Sequence, residues 1–262
     1  MSLRFLNISI LRSFGVRLLI LCALGLTMTA CSTVSKVKTK AVATLEKVSE
    51  TTNIGNNPDD PLEGLNRSVF NFNESLDANL LKPTAQVYQS VTPSIVQTAV
   101  GNFFSNAGDV WTAVNNVLQG NLVDGVNDFM RFAINTTMGI GGLIDVASAG
   151  GMPKHRADFG QTLGVWGVPS GPFVVLPVLG ASTLRDALAT PIDFKGDILF
   201  SQTSGTAKIA TSALKVIDKR ASALDAVSLI EEAALDKYVF IRGAYLQRRE
   251  SQINAGKQQE QE

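Results

Sequence analysis

From Asp60 onward, apolar residues recur at steps of three and four and are interrupted by Pro and Gly. Asp60-Pro61-Leu62-Glu63 carries the signature of a helix start: Asp as N-cap, Pro at the first helical position and Glu three after the cap. Leu62, Leu65, Val69, Phe72 and Leu76 then form one stripe, and Lys82-Pro83 is expected to break it. Thr92-Pro93 opens a second helix carrying Ile95, Val96, Ala99, Val100, Phe103 and Phe104. A third is predicted over 109–119, stopped by Gly120. A fourth, with Leu122, Val126, Phe129, Met130, Ala133 and Ile134, ends near Gly139-Ile140-Gly141-Gly142. At least two more follow, at about 206–216 and 236–254, with Gly256 as a stop signal. Clean period-two alternation is absent, so the predicted fold is all-α with Pro- and Gly-broken apolar loops.

The first 30 residues read differently. Arg4, Arg12 and Arg17 precede an apolar run over 18–26, and small or medium residues lead to Cys31. The 13 residues from 18 to 30 are too few for a span of about 20. A basic segment, a short apolar segment and a small residue before cleavage make a secretory signal peptide. Met28-Thr29-Ala30-Cys31 resembles a bacterial lipobox, whose Cys becomes the acylated N-terminus. Ordinary cleavage beside a chance Cys is the alternative, disfavoured because Cys31 sits at the cleavage point. The chain thus divides into a lipoprotein signal peptide at 1–30, an acylated tether at 31–59, a helical domain at 60–250 and a polar tail at 251–262.

Charge sharpens this picture. Charged residues make up 18% of the 262, against a usual fraction of about 25%. Between Pro83 and Pro153 only Asp109, Asp124, Asp128, Arg131 and Asp145 are charged. The 26 residues between Asp158 and Arg185 carry no Asp, Glu, Lys or Arg. That stretch is long enough to cross a bilayer, but Pro169, Pro172 and Pro177 forbid a continuous helix. The depletion favours helices partly embedded in a membrane over a buried core in a water-soluble domain. A formal net charge of zero leaves no global footprint for nucleic acid.

Catalytic patterns fail in turn. One His and two Cys exclude multi-His zinc sites and four-cysteine clusters, so no metal site is expected. His155, in Pro153-Lys154-His155-Arg156, reads as exposed. Gly167-Val168-Pro169-Ser170-Gly171 lacks the spacing of a nucleophile elbow. Gly139-Ile140-Gly141-Gly142 lacks the third Gly of a dinucleotide fingerprint, and no P-loop is present. The Asp and Glu residues are scattered as on a solvated face. No enzyme is predicted. Asp236 is expected to cap a last helix whose Tyr238, Ile241 and Tyr245 share a face, with Arg242 and Arg249 on a neighbouring one. This helix either packs by its aromatic stripe or sets Arg and Tyr at headgroup level; packing is favoured.

Several stretches together resemble the MlaA (VacJ) family of outer-membrane lipoproteins. Asp60-Pro61-Leu62-Glu63-Gly64-Leu65-Asn66-Arg67, continuing to Phe70-Asn71-Phe72-Asn73, is similar to its opening motif. Arg131-Phe132-Ala133-Ile134-Asn135-Thr136 and Gly139 to Asp145 resemble its central one. Asp158 to Gly164, Gly171-Pro172 to Leu176-Pro177 and Ser182 to Asp186 resemble the third. Asp236, Tyr238, Arg242, Tyr245 and Gln247 match the last.

The resemblance implies a helical ring in the periplasmic leaflet of a Gram-negative outer membrane, lipid-anchored through Cys31, with a central channel. It also implies a porin trimer alongside and a soluble periplasmic carrier that receives phospholipid drawn from the outer leaflet, preserving lipid asymmetry. No cofactor is implied beyond the covalent lipid at Cys31, with phospholipid as the transported ligand. By position in the matching motifs, Asn66, Arg67, Asn71, Phe72 and Asn73 line or gate the passage, with plain core packing the competing role for Phe72. Gly139, Gly141 and Gly142 permit close packing or bending. Two other classes stay open: a structural envelope lipoprotein supporting porins without lipid transport, and a phospholipid-degrading enzyme dependent on Ser170 or His155.

Overall fold

The computed structural model describes residues 60–259. The signal peptide, Cys31 and the tether lie outside the described residues.

The first helix, α1 (Glu63–Leu76), begins without a side-chain cap. Asp60 was expected to supply one, but only its backbone carbonyl receives the Glu63 N–H, at 3.1 Å. Its buried carboxylate turns inward and accepts from Asn66 Nδ2 at 3.0 Å, from Arg242 Nη1 at 2.9 Å and from the Tyr238 hydroxyl. Charge-assisted bonds in the interior outweigh one capping bond at a helix end.

Lys82-Pro83 does not break the helix either. A π-helical turn, Asp77–Leu81, leads directly into α2 (Lys82–Val91), and the Lys82 N–H reaches the Asp77 carbonyl. A wider turn relieves the clash between the proline ring and the preceding turn's carbonyl.

The second and third predicted helices are one, α3 (Ser94–Leu118), of 25 residues. The polar residues that suggest a break, Asn106 and Asp109, are buried and serve the interior instead. Gly120 at φ 83° turns the chain, and Asn121 caps α4 (Leu122–Thr137) by accepting the Asp124 N–H at 3.1 Å. Gly125 lets the two helices close on each other: a Cβ there would lie 2.6 Å from Val117 Cγ2 and 3.2 Å from the Ala113 carbonyl oxygen.

Beyond α4, Ile140, Gly141 and Gly142 all adopt positive φ, at 53°, 69° and 90°. Short α5 (Val146–Ala149) and α6 (Phe159–Val165) follow, capped by Asp145 and Asp158. The Pro-broken apolar stretch contains an antiparallel hairpin of β1 (Phe173–Leu176) and β2 (Gly180–Thr183), which pairs Phe173 with Thr183 and Leu176 with Gly180. Four-residue strands are too short to display alternation, which is why they escape a periodicity reading.

The chain then forms α7 (Leu184–Gly196), α8 (Ile198–Gln202), α9 (Gly205–Ala221), α10 (Leu224–Ala233) and α11 (Lys237–Gln259). The last helix runs through Gly256 rather than stopping there. Gly256 is a contact point, where a Cβ would meet Val165 Cγ2 at 2.9 Å. The all-α expectation holds apart from the hairpin. Phe173 and Val175 of β1 pack on Tyr238 of α11, with Val69 and Phe70 of α1 against them.

Candidate functional site

Among the described residues, 12 buried side chains are apolar and 18 are polar or charged. A water-soluble domain has the opposite balance. The missing apolar side chains are outside. On the α3–α4 pair, Val114, Val117, Leu118, Leu122, Val126, Phe129 and Met130 are exposed, and Val123 is 80% exposed. Val110, Val117, Val126 and Phe129 line an apolar groove of about 440 Å³ between the two helices. Contiguous apolar surface of this kind marks a partner or a lipid phase. No helix among the described residues is long and apolar enough to cross a membrane.

The same two helices turn charge inward, so the acids thought scattered over a solvated face are instead clustered. Arg131, fully buried, donates through Nη1 to the Met152 carbonyl at 2.6 Å and through Nη2 to Asp145 at 3.1 Å and Ser148 at 2.9 Å. Asn135 donates to Asp145 at 2.9 Å. Lys154 Nζ lies 2.8 Å from buried Asp109. Asn116 donates to Asp128 at 2.7 Å. His155 is half-buried rather than exposed, with Nδ1 3.0 Å from Asp128 and Nε2 3.4 Å from Asp124. Buried charges persist only when paired and hydrogen-bonded.

A chamber of about 490 Å³ gathers α3, the hairpin, α7, α9 and α11. One part of its lining is apolar, with Trp111, Leu176, Leu179 and Phe194. The other part is ionisable, with Asp158, Asp186, Asp193, Asp197, Lys219, Tyr245 and Arg249. Arg249 joins two of the acids: Nε donates to Asp186 at 2.9 Å and Nη1 to Asp158 at 2.7 Å. The Tyr245 hydroxyl adds a 2.6 Å bond to Asp186. Burial pushes the Asp186 carboxyl up, but Tyr245, Arg249 and Arg185 outweigh it and hold its pKa below the usual range. Burial and the Asp186 bond raise Tyr245 to about 12. Asp193 accepts from the Trp111 indole and the Phe159 N–H, both at 2.8 Å, yet burial dominates and raises its pKa. Lys215 sits 2.5 Å from Asp197. Such a lining offers an amphiphile both polar and apolar side chains.

The residues read from the opening motif separate into two groups. Asn66, buried on α1, donates to the Phe173 carbonyl at 3.0 Å and accepts the Val175 N–H at 2.9 Å. Asn73, two turns on, donates to the Leu176 carbonyl at 2.9 Å and accepts the Val178 N–H at 2.8 Å. The two asparagines therefore clasp the hairpin to α1. Arg67 pairs with Glu63 and Asp236, both at 2.8 Å, and lies over the Tyr238 ring. Asn71 and Phe72 are exposed, so Phe72 is not core.

The three glycines are packing and turn positions. A Cβ on Gly139 would lie 2.1 Å from the Ile144 carbonyl oxygen, and one on Gly142 would lie 2.5 Å from Asn106 Nδ2. Gly141 has open space and needs only its positive φ.

Ser170 lines a separate crevice with Arg185 and Lys257, while His155 belongs to the α4 carboxylates. Tyr238, Arg242, Tyr245 and Arg249 face inward to acids, so α11 packs by that face rather than presenting it to headgroups. Trp111, Asp193 and Lys219 were missed, because nothing local distinguishes them from surface or core.

The family profile described as MlaA lipoprotein matches residues 58–252. This chain belongs to the MlaA lipoprotein family. It is 36% identical over 207 residues to the intermembrane phospholipid transport system lipoprotein MlaA of Escherichia coli, covering 78% of this chain and 82% of that protein. An uncharacterized protein of Rickettsia felis is 38% identical over 195 residues, or 74% of this chain and 78% of that one. A chain from a solved structure, described as the structural basis for maintenance of bacterial outer membrane lipid asymmetry, superposes with a TM-score of 0.65. It is 35% identical and is matched over 74% of this chain and 98% of its own length. The family's matched segment contains the hairpin clasp, the α3–α4 pair and the chamber.

Proposed function

We propose that this protein is an outer-membrane lipoprotein that takes mislocalised phospholipid from the outer leaflet and hands it to a periplasmic carrier, without chemical catalysis. Acyl chains on Cys31 anchor it at the periplasmic face, beside a porin trimer, with its helices arranged around the passage. The observation that carries the reading is the inversion of polarity. The α3–α4 pair carries apolar side chains outside and charged ones inside, and α3 also lines a chamber with both apolar and ionisable side chains.

The physical problem suits such a body. Moving a diacyl lipid through water exposes about 30 CH2 groups at about 0.8 kcal/mol each, roughly 24 kcal/mol. A polar wall for the headgroup beside lipid or apolar protein for the tails removes most of that barrier. Net direction then comes from a downstream sink.

Asn71 and Phe72, exposed between the two clasping asparagines, are assigned to the passage. Asn66 and Asn73 hold the hairpin that borders it. Deleting Asn71 with Phe72 moves Asn73 off its strand partners while Asn66 keeps its own. The deletion should raise outer-leaflet phospholipid exposure and detergent sensitivity while the protein still accumulates. The decisive test is reconstitution: purified lipoprotein in liposomes with labelled phospholipid, and the soluble carrier added. Label should appear on the carrier only when the lipoprotein is present. Equal transfer without it would overturn the function, and release of fatty acid would point to an enzyme.

A further inference from the structure

Of the carboxylates that line the chamber, Asp158 and Asp186 pair with Arg249, and Asp197 pairs with Lys215. Asp193, half-buried on α7, has no cation within 4 Å among the described residues. Its Oδ1 accepts from two neutral donors, the Trp111 indole and the Phe159 N–H, both at 2.8 Å, and its Oδ2 accepts no hydrogen bond among the described residues. Lys219 and Arg249 line the chamber too, but neither lies within ion-pair distance of Asp193, and Arg249 is held by Asp158 and Asp186. Trp111 is fixed where it stands. A Cβ on Gly196 would lie 2.2 Å from its Cδ2, so the indole packs against the last residue of α7.

A half-buried carboxylate without a cation is costly to keep charged, and a cation entering the chamber offsets that cost. The neutral donors on Oδ1 hold the group in place and leave Oδ2 for such a cation. Trp111, Phe194 and Tyr245 bring aromatic rings to the same lining, which suits an organic ammonium better than a hydrated metal ion. Asp158, Asp186, Asp193 and Asp197 face the chamber against only Lys219 and Arg249, so the lining as a whole favours positive charge. We propose that Asp193 receives the ammonium group of an amphiphile in this chamber. This deepens the transport reading, on which it rests, by naming the substrate class: phospholipids whose headgroup carries an ammonium. A lipid headgroup and a free small amine share that chemistry, but only the lipid also uses apolar side chains such as Leu176 and Leu179.

Asp193→Asn is the informative variant. Its remaining carbonyl oxygen can still accept from Trp111 and Phe159, while an amide NH2 in place of Oδ2 repels an ammonium. The full-length lipoprotein in maltoside micelles is titrated by calorimetry with dihexanoyl phosphatidylethanolamine, which carries the ammonium, and with dihexanoyl phosphatidylglycerol, which does not. Ethanolamine, which lacks chains, is the third probe. The ethanolamine lipid should bind about tenfold more tightly than the glycerol lipid, as expected for one charge-assisted contact. D193N should melt with the wild type and lose that difference. Ethanolamine alone should bind about tenfold or more below its lipid.

A second measurement needs no change at Asp193. In nuclear magnetic resonance the ethanolamine lipid should shift the indole N–H signal of Trp111, which bonds to Asp193, and leave that of Trp166, which bonds to the Leu118 carbonyl, in place. Equal affinity for the two lipids, or a preference that survives in D193N, would overturn the site. Ethanolamine binding as tightly as its lipid would overturn the amphiphile. An unmoved Trp111 signal would overturn the contact even if D193N failed to fold. The site and the transport reading fail separately. Carrier loading with no headgroup preference removes the site alone, and a preference lost in D193N without carrier loading removes the function alone.

Discussion

At the scale of single residues, buried polar side chains do the work that apolar ones do elsewhere. Asp186 is the clearest case. It sits 5% exposed and receives Tyr245, Arg249 and Arg185, and a Cβ on Gly160 would lie 2.6 Å from its Oδ1. Asp186→Asn removes the charge that holds two guanidinium groups inside, and should cost about 3–5 kcal/mol of stability. Tyr245→Phe removes one bond and should cost about 1–2 kcal/mol. Thermal unfolding of both variants in detergent checks the order; equal losses would show that the buried charge is not the dominant partner. The same scale explains what a linear reading can and cannot assign. Asp60 carries a sound capping signature, but three donors from α1 and α11 claim its carboxylate. His155 lies in a basic tetrapeptide, but Asp124 and Asp128, one turn apart on α4, draw it in. Neither outcome is written in the neighbours along the chain.

At the scale of elements, the α3–α4 pair departs most from ordinary amphipathic packing. Asn106, Asp109, Thr112 and Asn116 form one buried stripe on α3, and Asp128, Arg131 and Asn135 form its counterpart on α4. Periodicity alone locates both stripes but does not say which faces inward. If the apolar face meets lipid, a spin label on V123C should collide with oxygen more than with an aqueous nickel chelate. The reverse preference would place this face in water. The α5 cap gives a pH test. Burial pushes the Asp145 carboxyl up, but Ser148, Asn135 and Arg131 outweigh it and bring its pKa to about 2, against 3.8 unperturbed. A lowered folded pKa means stability fully present above about 4 and lost as pH falls toward 2, worth about 2 kcal/mol. The free energy of unfolding, measured as pH is lowered from 5 to 2, should therefore fall more steeply in the wild type than in Asp145→Asn. Parallel slopes would remove this carboxylate from the acid response.

At the scale of the whole molecule, local patterns place the start of α4 at Leu122, with its end two residues late, and the start of α11 within one residue. They also mark charge depletion as a sign of lipid, and the motifs in order identify the family. They fuse poorly where tertiary demand overrides a local stop. Pro83 is absorbed by a π turn, two predicted helices join through Asn106 and Asp109, and α11 continues past Gly256 because Gly256 is a contact surface. The hairpin stays hidden because its strands are short and its clasp, Asn66 with Asn73, lies on another element over 100 residues away. Sequence by itself determined helical content, the candidate anchor and the scarcity of charge, because propensity, targeting signals and composition are local properties. Only the tertiary structure decided that the charges lie inside, that Asn66 and Asn73 hold the hairpin, and that Trp111 and Asp193 meet at the chamber. Those facts depend on which distant side chains share a space, and no local interaction energy encodes that.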